Sequence, residues 1–352
     1  MPRIALVPGD GIGAEVVAEA RKVLERVAAD EGIPLELAEL PYGAQRYLDI
    51  GRTITPEEMA AVERDHDAIL LGALGDPRVP GNEHARDILL GMRFKLDLYI
   101  NLRPVKLVDA RFSPLKDVRP EDVDIVIFRE NTEGVYVGLG GTFKKGTPDE
   151  LAIEEDVNTR KGVERIVRAA FAYARERGRT RVALADKANA MQHAGGLYRR
   201  VFAEVAREYT DIQSSAMYVD AMAMDMVLHP ARYDVIVASN LLGDILSDLA
   251  AALAGGLGIA PSANLHPGKP GLFEPVHGSA PDIAGQDRAN PLAAILTTSL
   301  MLEQLGYADA AARIEQACTA SIRAGQTTPD LGGSLGTRAV GDWIVKELER
   351  VR

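Results

Sequence analysis

The sequence is poor in several things, and each shortage excludes something. It has one cysteine, Cys318, in 352 residues, so no intrachain disulfide can form. That fits a reducing compartment, and the cytoplasm is the expected location. Basic charge is not in excess: 40 Lys and Arg stand against 51 Asp and Glu, for a net charge of −11. No nucleic-acid partner is therefore expected, and an anionic ligand would need a local basic pocket. Long hydrophobic runs are missing too. The longest nearly apolar stretch, Leu249 to Pro261, is too short and too glycine-rich to span a bilayer. Met1-Pro2-Arg3 leads straight into a strand pattern, not into a signal peptide. No membrane partner is expected. There is also no internal repeat, no low-complexity tract and no evident interdomain linker, as befits a chain that crosses between domains more than once.

What is present is the composition of a globular protein, 47% hydrophobic and 26% charged, long enough for two domains. Short apolar runs alternate with amphipathic helical patterns. Ile4-Ala5-Leu6-Val7, Ile69-Leu70-Leu71, Ile125-Val126-Ile127-Phe128, Val182-Ala183-Leu184 and Val235-Ile236-Val237 read as buried strands. Val16, Val17, Ala20, Val23, Leu24 and Val27 recur at helical spacing, and further helices fit Thr159 to Arg177, Gly195 to Tyr209 and Ala308 to Ala324. Cys318 lies on the apolar face of the last of these, as a small buried hydrophobe. The alternation predicts an α/β fold with a largely parallel core. Residues 138–156 break the pattern as a glycine-rich, hairpin-like excursion, expected to be an arm reaching a second subunit.

Asp244 and Asp248 carry the strongest chemical signal. They follow a strand pattern in Asn240-Leu241-Leu242-Gly243-Asp244-Ile245-Leu246-Ser247-Asp248. Residues at i and i+4 share a helix face, and two carboxylates held together repel unless a cation lies between them. Oxygen ligands of this kind suit Mg²⁺ or Mn²⁺. Alone, the pair would read as acids at a solvated helix start. Asp220, among methionines that read as core packing, is a third candidate ligand. Arg93, Arg103 and Arg129 could grip a di- or tricarboxylate through bidentate forks, although each alone reads as a surface ion-pair partner. Tyr136 and Lys187 are a candidate acid and base. Pro8-Gly9-Asp10-Gly11-Ile12-Gly13 ends the first strand and opens the first helix, but its glycines do not fit G-x-G-x-x-G, and a structural turn explains them as well as a phosphate cradle does. His277, in the loop after Phe273-Glu274-Pro275-Val276, reads best as packing on a bound ring.

Together these motifs resemble the β-decarboxylating dehydrogenases, the isocitrate/isopropylmalate dehydrogenase family, over nearly the whole chain. The stretches Asn240 through Asp248 and Glu274 through Asn290 are the most specific. The resemblance implies a two-domain α/β fold with a largely parallel sheet that is not a true Rossmann fold. Residues 1–98 and 254–352 would bind the cofactor; residues 99–253 would bind substrate and dimerise. It implies oxidative decarboxylation of a small 2-hydroxy di- or tricarboxylate, with Mg²⁺ or Mn²⁺ and NAD. Arg93, Arg103 and Arg129 match its carboxylate-binding arginines, and Asp244 and Asp248 match metal ligands of one subunit. Asp220, beside the substrate, matches the ligand given by the other subunit of a homodimer. Lys187 matches the base lent across that dimer, and Tyr136 the acid that protonates the enol. Ile12, Glu274, His277, Gly278, Ser279, Ala280, Pro281, Asp282 and Asn290 match the cofactor-binding positions. Acidic Asp282 favours NAD over NADP, whose extra phosphate it would repel.

Leu89 and Leu90, three and four residues before Arg93, suit the isopropyl group of 3-isopropylmalate, which makes it the first-ranked substrate. D-malate ranks second and homoisocitrate third, because Arg86 could meet an extra carboxylate and the Arg129 to Gly134 stretch resembles those branches. An apolar pocket discriminates by roughly 1–3 kcal/mol per methylene, so mixed specificity fits. A regulatory, non-catalytic subunit would be expected to lack the base, the acid or a metal carboxylate. This chain has all of them.

Overall fold

The computed structural model describes residues 1–351. Its strands, in chain order, are β1 (Arg3–Gly9), β2 (Glu36–Glu39), β3 (Ala68–Ala73), β4 (Ile100–Lys106), β5 (Asp124–Glu130) and β6 (Gly140–Phe143). They continue with β7 (Leu151–Glu154), β8 (Arg181–Asp186), β9 (Gln213–Tyr218), β10 (Val235–Ala238), β11 (Pro261–Leu265) and β12 (Gly271–Pro275). The chain forms two compact units: Met1–Leu98 with Lys106–Pro120 and everything from Ala251 onward, and Tyr99–Val105 with Glu121–Ala250. The division expected from sequence puts residues 106–120 in the second unit. They cluster with the first, where Phe112 lies against Gly255.

In the first unit the strand order is β2-β1-β3-β12-β11. β2, β1, β3 and β12 pair in parallel, and β11 pairs antiparallel with β12. β3 is buried along its whole length, which is why it reads as a continuous apolar run. The helix Gly13–Asp30 buries Val16, Val17, Ala20, Val23, Leu24 and Val27, the face predicted from their spacing. Close packing dictates the glycines that open it. A Cβ on Gly13 would lie 2.4 Å from the Pro8 carbonyl oxygen and 2.6 Å from the Ala73 nitrogen. Asp10 knits the same turn to its surroundings, accepting hydrogen bonds from Ala44 N (2.6 Å) and Gly75 N (2.9 Å). Cys318 is buried on the helix Ala308–Arg323, as expected.

In the second unit the order is β4-β5-β10-β8-β9, and β5, β10, β8 and β9 pair in parallel. The helices Arg160–Glu176 and Gln192–Ala206 pack against each other beside these strands. Thr159 caps the first of them by accepting from Gly162 N at 3.0 Å. β6 and β7 form an antiparallel hairpin within the 138–156 excursion, and every residue of both strands is exposed. Phe143 is 64% exposed there, and Leu139, Leu151 and Ile153 are exposed as well. The methionines near Asp220 are only partly core. Met222 and Met226 are buried on the inner face of the helix Val219–Leu228, while Met224, between them, is 62% exposed.

Candidate active site

The second unit gathers five of the expected site residues into one cluster. Arg103 projects from β4 and Arg129 from β5, and the helix Asn240–Ala254 begins just after β10, which pairs with β5. Strand pairing thus places two guanidiniums beside the first turns of that helix. Arg129 forms a short ion pair with Asp244, and its Nε donates to Asn240 Oδ1 at 2.9 Å. Arg103 donates from Nη1 to Ser247 Oγ (2.6 Å) and Asp248 Oδ1 (3.3 Å), and its Nη2 lies 3.3 Å from Asp244 Oδ1. Tyr136 Oη donates to Asp244 Oδ2 at 2.7 Å, and the Arg129 guanidinium sits 5.0 Å from the centre of the Tyr136 ring.

Asp244 and Asp248 do lie together, one turn apart. Burial, and then the neighbouring Asp244 charge, push the Asp248 carboxyl above the usual carboxylate range, against the pull of Arg103. A divalent cation would relieve that strain, and an all-carboxylate donor set suits Mg²⁺ or Mn²⁺. Among the described residues no three Asp, Glu, His or Cys side chains gather around one point within a single chain.

Asp220 stands instead with Lys187, whose Nζ donates to Asp220 Oδ1 at 2.6 Å. β8 and β9 are in register with Asp186 opposite Tyr218, so the residues just past their ends meet. The hydrogen bond from Lys187 holds the Asp220 carboxyl below its ordinary range. The structure therefore pairs the expected base with the expected third ligand and gives no contact from either to Asp244.

Arg93 belongs to the first unit. Its Nη2 donates to Glu274 Oε1 at 2.8 Å, and Asn264 Nδ2 donates to the same oxygen at 2.9 Å. Arg93 Nε is buried without a partner, so the guanidinium keeps donor capacity to spare. Glu274 is thus committed to Arg93 and Asn264. Leu89 packs against a buried core cluster that includes Ile88 and Met92, whereas Leu90 is half-buried and outside it. Both lie on a π-helical turn, Arg86–Leu90, whose wider hydrogen bond runs from Gly91 N to Arg86 O.

The loop from His277 to Asn290 lies against the turn after β1. Ile12 N donates to Ser279 O at 2.9 Å, and a Cβ on Gly11 would fall 2.1 Å from that same oxygen. Gly278, Pro281 and Asp282 are exposed; Ala280 has φ +36°, in the left-handed region. His277 Nε2 is buried with no partner, and burial pushes the imidazole pKa down, so the ring is neutral at pH 7. A neutral ring with an unmet nitrogen suits the adenine end of a dinucleotide. Asn290 Nδ2 donates to Asp330 Oδ2 at 2.9 Å.

Sequence reasoning missed the groups that hold the arginines. Asn101 accepts from Arg103 Nε at 2.8 Å, and Asn240 and Ser247 hold Arg129 and Arg103. Asn101 shares a strand face with Arg103 by period-two alternation, which could have flagged it. Asn240 and Ser247 lie within the aspartate motif, yet their spacing carries no signal of its own.

A family model described as isocitrate/isopropylmalate dehydrogenase matches residues 3–344. The chain is 49% identical to a 3-isopropylmalate dehydrogenase of Thermobifida fusca (strain YX), over 98% of this chain and 97% of that one. It is 48% identical to a 3-isopropylmalate dehydrogenase of Streptomyces coelicolor, over 96% and 98% of the two chains. The crystal structure of isocitrate dehydrogenase from Methylococcus capsulatus superposes with a TM-score of 0.88 at 39% identity, covering 99% of each chain. With its mixed, mostly parallel α/β architecture and this near full-length match, the chain belongs to the isocitrate/isopropylmalate dehydrogenase family.

Proposed function

We propose that this protein oxidises and decarboxylates 3-isopropylmalate to 4-methyl-2-oxopentanoate, with NAD and Mg²⁺ or Mn²⁺, in leucine biosynthesis in the cytosol. The observation that carries the choice of substrate is the 47–49% identity, over at least 95% of this chain, to several 3-isopropylmalate dehydrogenases. When bound, NAD would supply the two-electron oxidant that accepts the C2 hydride, and the cation would supply Lewis-acid stabilisation of the negative charge that develops. Asp244 and Asp248 of one subunit and Asp220 of a second copy would hold the cation. Arg93, Arg103 and Arg129 hold the substrate carboxylates, and Leu90 faces the isopropyl group. Lys187 of the second copy takes the C2 hydroxyl proton as the C2 hydrogen leaves with its electron pair. The bond from C3 to its carboxylate then breaks, carbon dioxide departs, and Tyr136 gives its proton to C3.

Two features support sharing between copies. Lys187 and Asp220 pair with each other and not with Asp244, and apolar side chains stand exposed on the hairpin and on the helices bearing Asp220 and Asp244, among them Met224, Leu228, Leu241 and Ile245. On the cofactor side, exposed Asp282 and the neutral His277 support NAD. A second reading, a substrate with a further carboxylate such as homoisocitrate, is favoured by Arg86, exposed on the π-helical turn beside Leu90. The test is stoichiometry: the purified protein with Mn²⁺, NAD and 3-isopropylmalate should form NADH and carbon dioxide one for one. NADH without carbon dioxide would rule out decarboxylation.

A further inference from the structure

Ile12, which caps the first helix and is joined to Ser279, is assigned to cofactor binding, and no residue of the helix Gly13–Asp30 itself is. Glu15 nevertheless reaches the cofactor loop. Glu15 lies in the first turn of the helix Gly13–Asp30, and its Oε1 accepts a short hydrogen bond from Gly285 N. The loop is tied firmly at both ends. Ser279 O accepts from Ile12 N at 2.9 Å. Asp287 accepts from Thr337 N (3.1 Å) and Arg338 N (3.0 Å), and Thr337 Oγ1 donates to Ala289 O at 2.7 Å. Between these anchors the stretch is supported mainly by itself: Ile283 N donates to Ala280 O, Gln286 N to Ile283 O, and Gln286 Nε2 to Asp282 O. Among the described residues, the bond from Gly285 to Glu15 is the one hydrogen bond that joins residues 280–286 to another secondary-structure element. Gly285 can present its N–H this way because its φ of +76° lies in the region open to glycine.

We infer that Glu15 is a positioning residue for cofactor binding: it latches the middle of the loop and so fixes Asp282 before the dinucleotide arrives. The inference rests on the proposal that this loop takes NAD. Its physical basis is the cost of ordering a free loop on binding, which a pre-formed latch removes. A hydrogen bond to a charged acceptor is among the stronger single contacts available for this.

The test compares Glu15→Ala, Glu15→Gln and Gly285→Ala in the full-length protein. Amide hydrogen exchange over residues 280–286 is followed without cofactor, and NAD affinity is measured by calorimetric titration. Glu15→Ala should speed exchange in this stretch and raise the NAD Kd by roughly tenfold, the scale of one charge-assisted hydrogen bond. Glu15→Gln keeps an acceptor oxygen and should restore most of both. Gly285→Ala should resemble Glu15→Ala, because a Cβ there meets nothing within 4 Å and acts only through the backbone angle. Unchanged exchange and affinity in Glu15→Ala would overturn the latch. So would a Gln variant behaving like Ala, since the effect would then come from charge at the helix start. If the unaltered protein failed to bind NAD, the cofactor reading would fall, while the exchange data would still decide the latch.

Discussion

Asp244 is the residue on which most of the site converges: Arg129, Arg103 and Tyr136 all contact its carboxylate. Two predictions isolate what those contacts do. Tyr136→Phe keeps the ring beneath Arg129 and removes only the hydroxyl. Steady-state kinetics should show kcat lower by roughly 10²–10⁴-fold, the usual worth of a general acid, with the substrate KM little changed. A near-normal kcat would remove Tyr136 as the acid. Gly243→Ala tests Arg129 indirectly. The added Cβ would lie 2.7 Å from Arg129 Cβ and 2.8 Å from Cγ, so the arginine must move. A displacement near 1 Å should lower kcat/KM by about 10²-fold while the protein still folds, as circular dichroism would report. At this scale the sequence was readable where geometry follows from spacing, as for Asp244 and Asp248. It was silent where a partner comes from a distant element. Nothing near Glu15 points to Gly285, and nothing near Arg93 points to Glu274.

At the scale of elements, the first helix shows how a carboxylate can be tolerated inside a packed layer. Glu19 is buried beside Gly341 on the helix Thr337–Glu347, with Lys22 Nζ 2.5 Å from its Oε2. Burial holds the Glu19 carboxyl above its ordinary range despite Lys22. Its folded-state pKa therefore exceeds the unfolded value of about 4.3. Its protonated form is preferred in the folded chain, so its contribution to stability is fullest below the unfolded pKa and falls as pH rises through the folded one. Glu19→Gln mimics the protonated form. Its stability relative to the unaltered protein, from urea unfolding, should improve between pH 4.5 and pH 7; a difference independent of pH would contradict the assignment. Strands buried on both faces, such as β3 and β10, were legible as unbroken apolar runs. β9 was not, because Gln213-Ser214-Ser215 is exposed and polar and forms a strand through pairing with β8. The π-helical turn at Arg86–Leu90 was invisible as well. On it Leu89, partly buried, packs against the core cluster and Leu90 does not, a difference that a plain helical count of the two leucines does not reveal.

At the scale of the whole molecule, the proposed site needs two copies. A pair of inactive variants tests this without any structural assumption. Lys187→Met lacks the proposed base and Asp244→Asn lacks a metal ligand. Each alone should be nearly inactive. Unfolded together and refolded as a mixture, half of the dimers should be mixed, each with one intact site, restoring roughly a quarter of normal activity. No recovery would place Lys187 and Asp244 in the same subunit's site. The sequence suggested such sharing through its family resemblance, while spacing alone could not say which residues cross between copies.

The most direct test of the account is kcat/KM with NAD and Mn²⁺ for 3-isopropylmalate, D-malate, homoisocitrate and isocitrate, measured side by side on one preparation. The account predicts a clear preference for 3-isopropylmalate, lost in Leu90→Ala more than in Leu89→Ala. Preference for D-malate or a tricarboxylate would contradict the proposed substrate and move attention to Arg86.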